Sequence, residues 1–322
     1  MHILHISDQA GVACILAKYQ RLQGHEAKVI RVADQDKYGI ISYYRDCVVS
    51  LSEKEFYVKC IDEAEHADII HIHGAINLLF QLRKKYGRSK KIILHYHGSD
   101  IRMQYPMHSN ISSTNSVILP KHSLLYIVLK RLISRIKHNT MPKQLIHVYA
   151  QKLADLVLVS TPDLLCLTDN ATYLPNPIDT DLFRDDIILS ESKKKAFTIE
   201  TEITNASQSI RYCRDNDIDL EIEVYNRSKK PVKYEEMPSL LKNFGIYIDI
   251  KHVNSSILRA LSKTGLEALA CGLKVLDHQL EFHEGLPTAN EPKRIVSYLS
   301  TIYSWKSNFH LSWYLLFLLR VS

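Results

Sequence analysis

MHILHISDQAGVACILAKYQRLQGHEAKVIRV, residues 1–32, reads as one turn of an α/β winding. Ile3 to Ile6 is a short apolar run of the length expected for a buried strand. From about Val12 to Gln23 the apolar positions recur at helical spacing, and Gly24 supplies a stop. Ala27 to Val32 is then apolar again, as a second strand would be. The pattern continues outward, with further strands expected at Ile69 to Ile72, Lys91 to Tyr96 and Leu156 to Ser160. Short apolar runs separated by helices are the signature of a parallel sheet covered on both faces. Each run ends in a small or polar cluster: Ser7-Asp8, His73-Gly74, His97-Gly98-Ser99-Asp100 and Ser160-Thr161-Pro162-Asp163. In such sheets ligands bind at the carboxyl ends of the strands.

Pro175-Asn176-Pro177 interrupts the pattern, because both prolines resist helix and restrict the residue before them. Beyond the charged run Glu191 to Lys195 the alternation resumes. Lys195 to Ile199 reads as a strand, Ser207 to Asn216 as a helix and Asp219 to Tyr225 as a strand, followed by a helix from Met237 to Asn243 and a strand from Gly245 to Ile250. The expected fold is α/β, with two Rossmann-like doubly wound domains facing a cleft, the second of them small. The expected boundaries are 1–174 for the first domain, 175–290 for the second and 291–322 for a helical, apolar tail. With 322 residues, 46% of them hydrophobic, the chain can bury a core in each domain. Six scattered cysteines with no C-x-x-C pair argue against a disulfide framework and against a zinc site. The first residues read as a strand and not as a secretory signal, so a cytoplasmic location is expected.

The stretch Ser262-Lys263-Thr264-Gly265-Leu266-Glu267-Ala268-Leu269-Ala270-Cys271-Gly272-Leu273-Lys274-Val275 carries the chemistry of the second domain. Small residues at Ser262, Thr264 and Gly265 open a helix whose free backbone N–H groups and dipole attract phosphate. Glu267 sits near that end, where a carboxylate can accept hydrogen bonds from a sugar diol. Gly272 stops the helix in a left-handed conformation and Leu273 to Leu276 follows as a buried strand. The same letters also fit a plain helix-turn-strand unit with no ligand. The flanking glycines and the Gly-Lys pair of a Walker loop are absent.

Four histidines fall at strand ends. His71 and His73 share one face of their strand, as do His95 and His97 of theirs, because side chains alternate along a strand. A histidine there can carry a proton or donate to a sugar, or it can bond to loop carbonyls. No carboxylate or cysteine stands at ligand spacing beside them, so no metal is expected.

These pieces, in order, resemble the group 1 (family 4-like) glycosyltransferases of the GT-B fold, especially short archaeal-type members. The likeness rests on His71-Ile-His73, Leu94-His95-Tyr96-His97-Gly98-Ser99-Asp100, Ala154-Asp155-Leu156-Val157-Leu158-Val159-Ser160, Leu174-Pro175-Asn176-Pro177-Ile178-Asp179 and Glu267-Ala268-Leu269-Ala270-Cys271-Gly272, and covers residues 1 to about 280. It implies transfer of a hexose from a nucleotide-sugar donor to a glycan or lipid-linked acceptor, with retention and without metal or cofactor. Glu267 would then hold the donor ribose, the backbone at Thr264-Gly265 the pyrophosphate, and His97 would be the catalytic-site histidine touching the transferred sugar. Gly11 would shape the first loop, and Asp100 and His73 are further cleft candidates. Two departures stand out. Arg259 occupies the position, eight before Glu267, where the family carries a second glutamate. Ala196-Phe197-Thr198-Ile199-Glu200-Thr201-Glu202 lacks the cations that neutralise the diphosphate leaving group, a large electrostatic contribution. Arg259 and Lys263 are the candidates to replace them. Those departures keep two other readings open: a degenerate relative that binds nucleotide or glycan without turnover, and a nucleotide-sugar epimerase of the same fold.

The net charge of +6 is unevenly placed. No acidic residue lies between Asp100 and Asp155, while Lys130, Arg131, Arg135 and Lys137 surround an apolar face built from Leu125, Val128, Leu129, Leu132, Ile133 and Ile136. Residues 121–137 fit either a core helix or a basic amphipathic helix on an anionic membrane surface, which would place the protein peripherally on the inner face of the cell membrane. Nucleic acid is not an expected partner, since few aromatic residues interleave the basic ones. Phe309 to Val321 is strongly apolar yet shorter than the roughly 20 residues of a membrane span.

Overall fold

The computed structural model describes residues 1–8, 10–102, 143–185, 195–201, 204–253 and 256–304. The basic stretch 121–137 and the apolar run 309–321 lie outside them. The first domain is built from β1 (His2–Ile6), α1 (Val12–Leu22), β2 (Glu26–Val32), α2 (Ile40–Tyr43), β3 (Val48–Leu51), α3 (Glu53–His66), β4 (Ile69–His73), α4 (Ile76–Tyr86), β5 (Lys91–Tyr96), α5 (Ser99–Arg102), α6 (Lys143–Leu153), β6 (Leu156–Val159) and β7 (Thr172–Tyr173). Its strands form one sheet in the order β3-β2-β1-β4-β5-β6-β7, and every pairing is parallel. The winding reverses between β1 and β4. That reversal leaves a crevice outside the carboxyl ends of those two strands, where Ser7, Asp8 and His73-Gly74 sit.

Strand alternation sorts the core into two layers. Leu4, Ile6, Ile70, Ile72, Ile92 and Leu94 pack with α3 and α4 on one face. Ile3, Val29, Ile69 and Ile93 face the other way, onto α1. Both faces of the sheet are therefore covered and, apart from the buried histidines on the α1 side, apolar, which is why its strands read as hydrophobic runs.

The second domain contains β8 (Ala196–Glu200), α7 (Ala206–Asp215), β9 (Ile222–Asn226), α8 (Met237–Leu241), β10 (Ile246–Ile248), the small hairpin β11 (His252–Val253) and β12 (Ser256–Ile257), α9 (Lys263–Ala270), β13 (Lys274–Leu276) and β14 (Phe282–His283). Its sheet runs β14-β13-β10-β8-β9, parallel except for β14. Gly272 ends α9 with φ 81°, the left-handed stop expected there. The last described helix, α10 (Pro292–Ser304), returns to the first domain. Gln23 Nε2 donates to Ser297 Oγ at 3.0 Å, and Val296, Leu299 and Tyr303 join the core layer of α1. That layer also takes in Phe197, Tyr234, Leu266 and Val275, so one hydrophobic core crosses from domain to domain.

Candidate active site

The first loop is set by Asp8. Its Oδ2 accepts from the Gly11 amide at 3.0 Å and from Arg31 Nη1 at 3.0 Å, and its Oδ1 accepts from the Ala13 amide at 2.7 Å. A buried carboxylate thus satisfies backbone donors at the head of α1, which has no other side-chain cap. Gly11 takes φ 82°. A Cβ there would lie 3.7 Å from Ile40 and 3.9 Å from the Tyr234 ring, so the loop abuts the second domain.

Across that contact lies the head of α9. Ser262 caps the helix, its Oγ accepting from the Gly265 amide at 3.1 Å. Asp249, 2% exposed at the end of β10, accepts from the Ser262 amide and from its hydroxyl, each at 2.6 Å. A Cβ on Gly265 would come within 2.8 Å of the Asp249 carboxyl carbon and closer still to Oδ2. Only glycine lets Asp249 reach this position. The anion that the positive end of α9 attracts in this structure is therefore the protein's own carboxylate.

Glu267 is 4% exposed. Lys263, one turn earlier, forms an ion pair with its Oε1, lies 3.3 Å from the Tyr234 hydroxyl and sits 4.9 Å from the centre of the Tyr234 ring. Glu267 Oε2 has no hydrogen-bond partner among the described residues. Lys251, its side chain 11% exposed, lies 3.7 Å from Asp249 Oδ1. Burial works to lower its pKa, but the neighbouring Tyr247, Asp249 and Glu267 outweigh burial and raise it, so it stays charged. Burial and the nearby Glu267 carboxylate hold the Tyr234 phenol well above its usual range.

Tyr234 links the two domains. Its amide donates to the Tyr38 carbonyl at 2.8 Å, and its hydroxyl is 3.5 Å from that of Tyr44. Tyr44 donates in turn to Asp179 Oδ2 at 2.8 Å. Asp179 has no exposed surface; it also receives Lys18 Nζ at 2.8 Å and the Tyr19 hydroxyl at 3.2 Å. Arg227 stacks 3.8 Å over the Tyr38 ring.

The histidines occupy the crevice side of the first sheet. His97 Nε2 lies 2.8 Å from His73 Nδ1, and His73 Nε2 lies 3.0 Å from His5 Nδ1. Burial lowers the pKa of all of them, His97 to about 3 and His5 to about 4. Asp100 is spent on its own turn, accepting from the amides of His97 at 3.0 Å and Gly98 at 2.8 Å. Gly98 leaves room for Arg102, whose guanidinium forks onto Asp163 at 2.8 and 2.9 Å.

The structure thus brings Gly11, Lys263 and Glu267 together around Tyr234, with Gly265 at the head of the same helix. His73 and His97 form a second group at the ends of β4 and β5, and Asp100 braces the turn beside it. Thr264 lies on the first turn of α9, and Arg259 is exposed ahead of the helix. Sequence reasoning missed Asp249, Lys251, Tyr234, Tyr44 and Asp179, and on the histidine side His5, Gln20 and Tyr303. The Pro175–Asp179 segment carried Asp179, and the strand and helix patterns ran through His5, Gln20 and Asp249 without marking them. A separate pocket of about 260 Å³ lies between the head of α4 and α6, lined by Tyr57, Gly74, Asn77, Ile146 and His147 among others.

No family model matches the sequence, and no curated protein does. Solved structures do. An alpha-glucosyltransferase in complex with UDP and a 13-mer DNA containing an HMU base is 12% identical with a TM-score of 0.51, covering 95% of this chain and 91% of that one. An alpha-glucosyltransferase in complex with UDP-glucose and DNA containing an abasic site is 13% identical with a TM-score of 0.50, covering 94% and 91%. An alpha-glucosyltransferase in complex with UDP is 12% identical with a TM-score of 0.50, covering 85% and 79%. The likeness is one of fold: two Rossmann-like domains facing each other, the GT-B arrangement.

Proposed function

We propose that the chain is a glycosyltransferase of the group 1 type, moving a hexose from a nucleotide-sugar donor to a glycan or lipid-linked acceptor. Transfer would retain anomeric configuration and use no metal or cofactor. The observation that carries this reading is Glu267, a buried carboxylate with one oxygen paired to Lys263 and the other without a hydrogen-bond partner among the described residues, facing the Gly11 loop across Tyr234. The open oxygen is suited to a ribose diol. Lys263 and Lys251 supply positive charge beside it, where the diphosphate of a donor would need it. His97 is the candidate to contact the transferred sugar. The fold neighbours, whose structures hold UDP or UDP-glucose, support the same reading.

A thermal-shift panel of UDP, GDP, ADP and their sugars tests it. One nucleotide series should stabilise the protein, and Glu267→Ala should abolish that shift while leaving the unliganded melting point within a few degrees. No shift with any nucleotide would sink the proposal. Donor turnover is then measured with glycan, lipid-linked and DNA acceptors, the last because two of the neighbours hold DNA.

Two observations favour a second reading, binding without turnover. Arg259 replaces the second acid, and Asp249, the carboxylate nearest the head of α9, has its oxygens engaged by Ser262. A nucleotide shift with neither hydrolysis nor transfer would select it.

A further inference from the structure

Five imidazoles from three adjacent strands share the sheet face beneath α1 and α10. His5, His71, His73 and His95 have no exposed surface. They form two hydrogen-bonded branches that start from one amide. In the first, Gln20 Oε1 lies 2.8 Å from His5 Nε2, His5 Nδ1 lies 3.0 Å from His73 Nε2, and His73 Nδ1 lies 2.8 Å from His97 Nε2. In the second, Gln20 Nε2 donates to the Tyr303 hydroxyl at 3.4 Å, which lies 3.3 Å from His71 Nδ1, and His71 Nε2 lies 3.2 Å from His95 Nδ1. The far ends, His97 Nδ1 and His95 Nε2, are buried and without a partner among the described residues, in rings whose centres are 4.2 Å apart.

Counting hydrogens ties the polarity of one branch to that of the other. Burial keeps every one of these imidazoles neutral at pH 7, and a neutral imidazole has one N–H and one lone pair. The Gln20 carbonyl can only accept, so His5 carries its hydrogen on Nε2. His5 Nδ1 must then accept from His73 Nε2, and His73 Nδ1 from His97 Nε2. That leaves a lone pair on His97 Nδ1. On the other branch the Gln20 amide donates to Tyr303, Tyr303 donates to His71 Nδ1, and His71 Nε2 donates to His95 Nδ1. The hydrogen left over is on His95 Nε2. Turning the Gln20 amide over reverses every step at once. In either state all five histidines share one tautomer, and the two ends offer one N–H and one lone pair.

We propose that Gln20 and Tyr303 are positioning residues that impose a single tautomer on all five histidines, and that the His95 Nε2 and His97 Nδ1 pair takes one hydroxyl group, which accepts from one nitrogen and donates to the other. One nitrogen from each of His73, His95 and His97 lies within 4.8 Å of those of the other two, a spacing that a metal ion could bridge. A metal needs a lone pair from each ligand, and the shared amide gives only one of the two ends a lone pair. The tautomer lock is independent of the glycosyltransferase reading. A sugar as the source of the hydroxyl rests on that reading, with water as the other source.

The test is nitrogen NMR of the protein labelled with ¹⁵N-histidine at pH 7. All five should show the same tautomer. Tyr303→Phe, which cuts only the link between the branches, should leave His5, His73 and His97 unchanged and average His71 and His95 between tautomers. Gln20→Glu, ionised, accepts on both sides and should split the branches whichever tautomer the unmodified protein shows, with His71 and His95 in the Nδ1–H form and the other three in the Nε2–H form. Two tautomers among the five histidines of the unmodified protein, or displacement of the His95 and His97 signals by one equivalent of Zn²⁺, would overturn the proposal. Adding UDP-glucose separates the sources: a sugar hydroxyl moves His97 Nδ1 and His95 Nε2 together, and a bound water leaves both where they were. If UDP-glucose does not bind, the GDP- and ADP-sugars are added in its place; failure of all of them refutes the glycosyltransferase reading and leaves the tautomer result standing.

Discussion

Gly265→Ala should destabilise the protein although it replaces glycine by the best helix former inside a helix. In an open helix the exchange gains up to about 1 kcal/mol. Here the three atoms nearest to a Cβ all belong to Asp249, and its carboxyl carbon would be only 2.8 Å away. Asp249 cannot swing aside cheaply, because two 2.6 Å hydrogen bonds tie it to Ser262. Overpacking of this kind costs about 1–3 kcal/mol, and each hydrogen bond to a charged group that is broken in relieving it costs about 1.5–3 kcal/mol. The net expectation is a loss of about 2 kcal/mol, read as a lower urea midpoint at unchanged slope. Asp249→Ala removes the obstacle, since the Asp249 Cβ itself lies at an ordinary 3.4 Å. In that background Gly265→Ala should turn stabilising, by up to about 1 kcal/mol. Both backgrounds together form a double-mutant cycle whose coupling energy isolates the contact. If Gly265→Ala costs the same with and without Asp249, the carboxylate is not what reserves this position for glycine.

Acid should weaken the protein through the histidines before the carboxylates titrate. Burial holds His5 at about 4 and His97 at about 3, against 6.5 for a free histidine, so below pH 6.5 the unfolded chain takes up protons that the folded one refuses. Stability is therefore complete above pH 6.5 and falls as the pH drops toward 4 and then 3, by about 1.4 kcal/mol per pH unit for each such histidine. A flat urea midpoint between pH 7 and pH 5 would contradict the assignment. Asp179→Ala should cost about 3 kcal/mol, the low end for breaking a buried ion pair, because Lys18 can still turn to Asp181 at 2.8 Å; Asp181→Ala, at a carboxylate whose side chain is 57% exposed, should be nearly neutral in the same denaturation assay. Gly11→Ala should cost about 1–2 kcal/mol from backbone conformation alone, since its Cβ would meet only ordinary contacts. Gly11→Asn, which tolerates a positive φ better, should recover part of that loss.

The elements were legible in the sequence where a period repeats. The strand expected at Lys91 to Tyr96 is found with those bounds, and the helix expected from Val12 to Gln23 ends one residue earlier, at Leu22. β3 and β7 escaped because Val48–Leu51 is half-buried and Thr172–Tyr173 is two residues long, so neither builds a pattern. At the site, Ser262, Gly265 and Glu267 were legible because a helix cap is made within one turn. Alternation also put His71 with His73 and His95 with His97 correctly on shared faces. It could not say that β1 lies beside β4, the pairing that sets His5 against His71 and completes the histidine cluster. Asp249, Tyr234, Asp179 and Tyr303 reach their partners from remote positions in the chain, and no local spacing announces such contacts. Tyr303 arrives on a helix that follows the second domain in sequence yet packs on the first.

On the proposed reading, the geometry at α9 offers no substitute for the second acid. Arg259 stands where the resembled family carries that glutamate, and the buried acid tied to the head of α9 is Asp249, at the end of β10. Asp249 cannot take over contact with a donor sugar, because both its oxygens hold Ser262 and thereby the start of the helix that carries Glu267. Its effect on a ligand is indirect. By occupying the positive end of α9 it reduces what the helix dipole can offer to a diphosphate, and it shifts that task to side-chain cations. The two lysines beside Glu267 are already drawn to carboxylates, Lys263 to Glu267 and Lys251 to Asp249. A diphosphate would therefore bind by exchanging carboxylate partners for phosphate ones, which trades one charge pair for another and yields little net affinity. Affinity would then have to come from the ribose at Glu267 Oε2 and from contacts to the base. Removing Glu267 should therefore weaken a nucleoside monophosphate by nearly the same factor as a nucleotide sugar, whereas removing Lys263 should weaken the nucleotide sugar alone; isothermal titration of both ligands against both variants decides it, and equal losses for Lys263→Ala would show that the dipole still holds the phosphates.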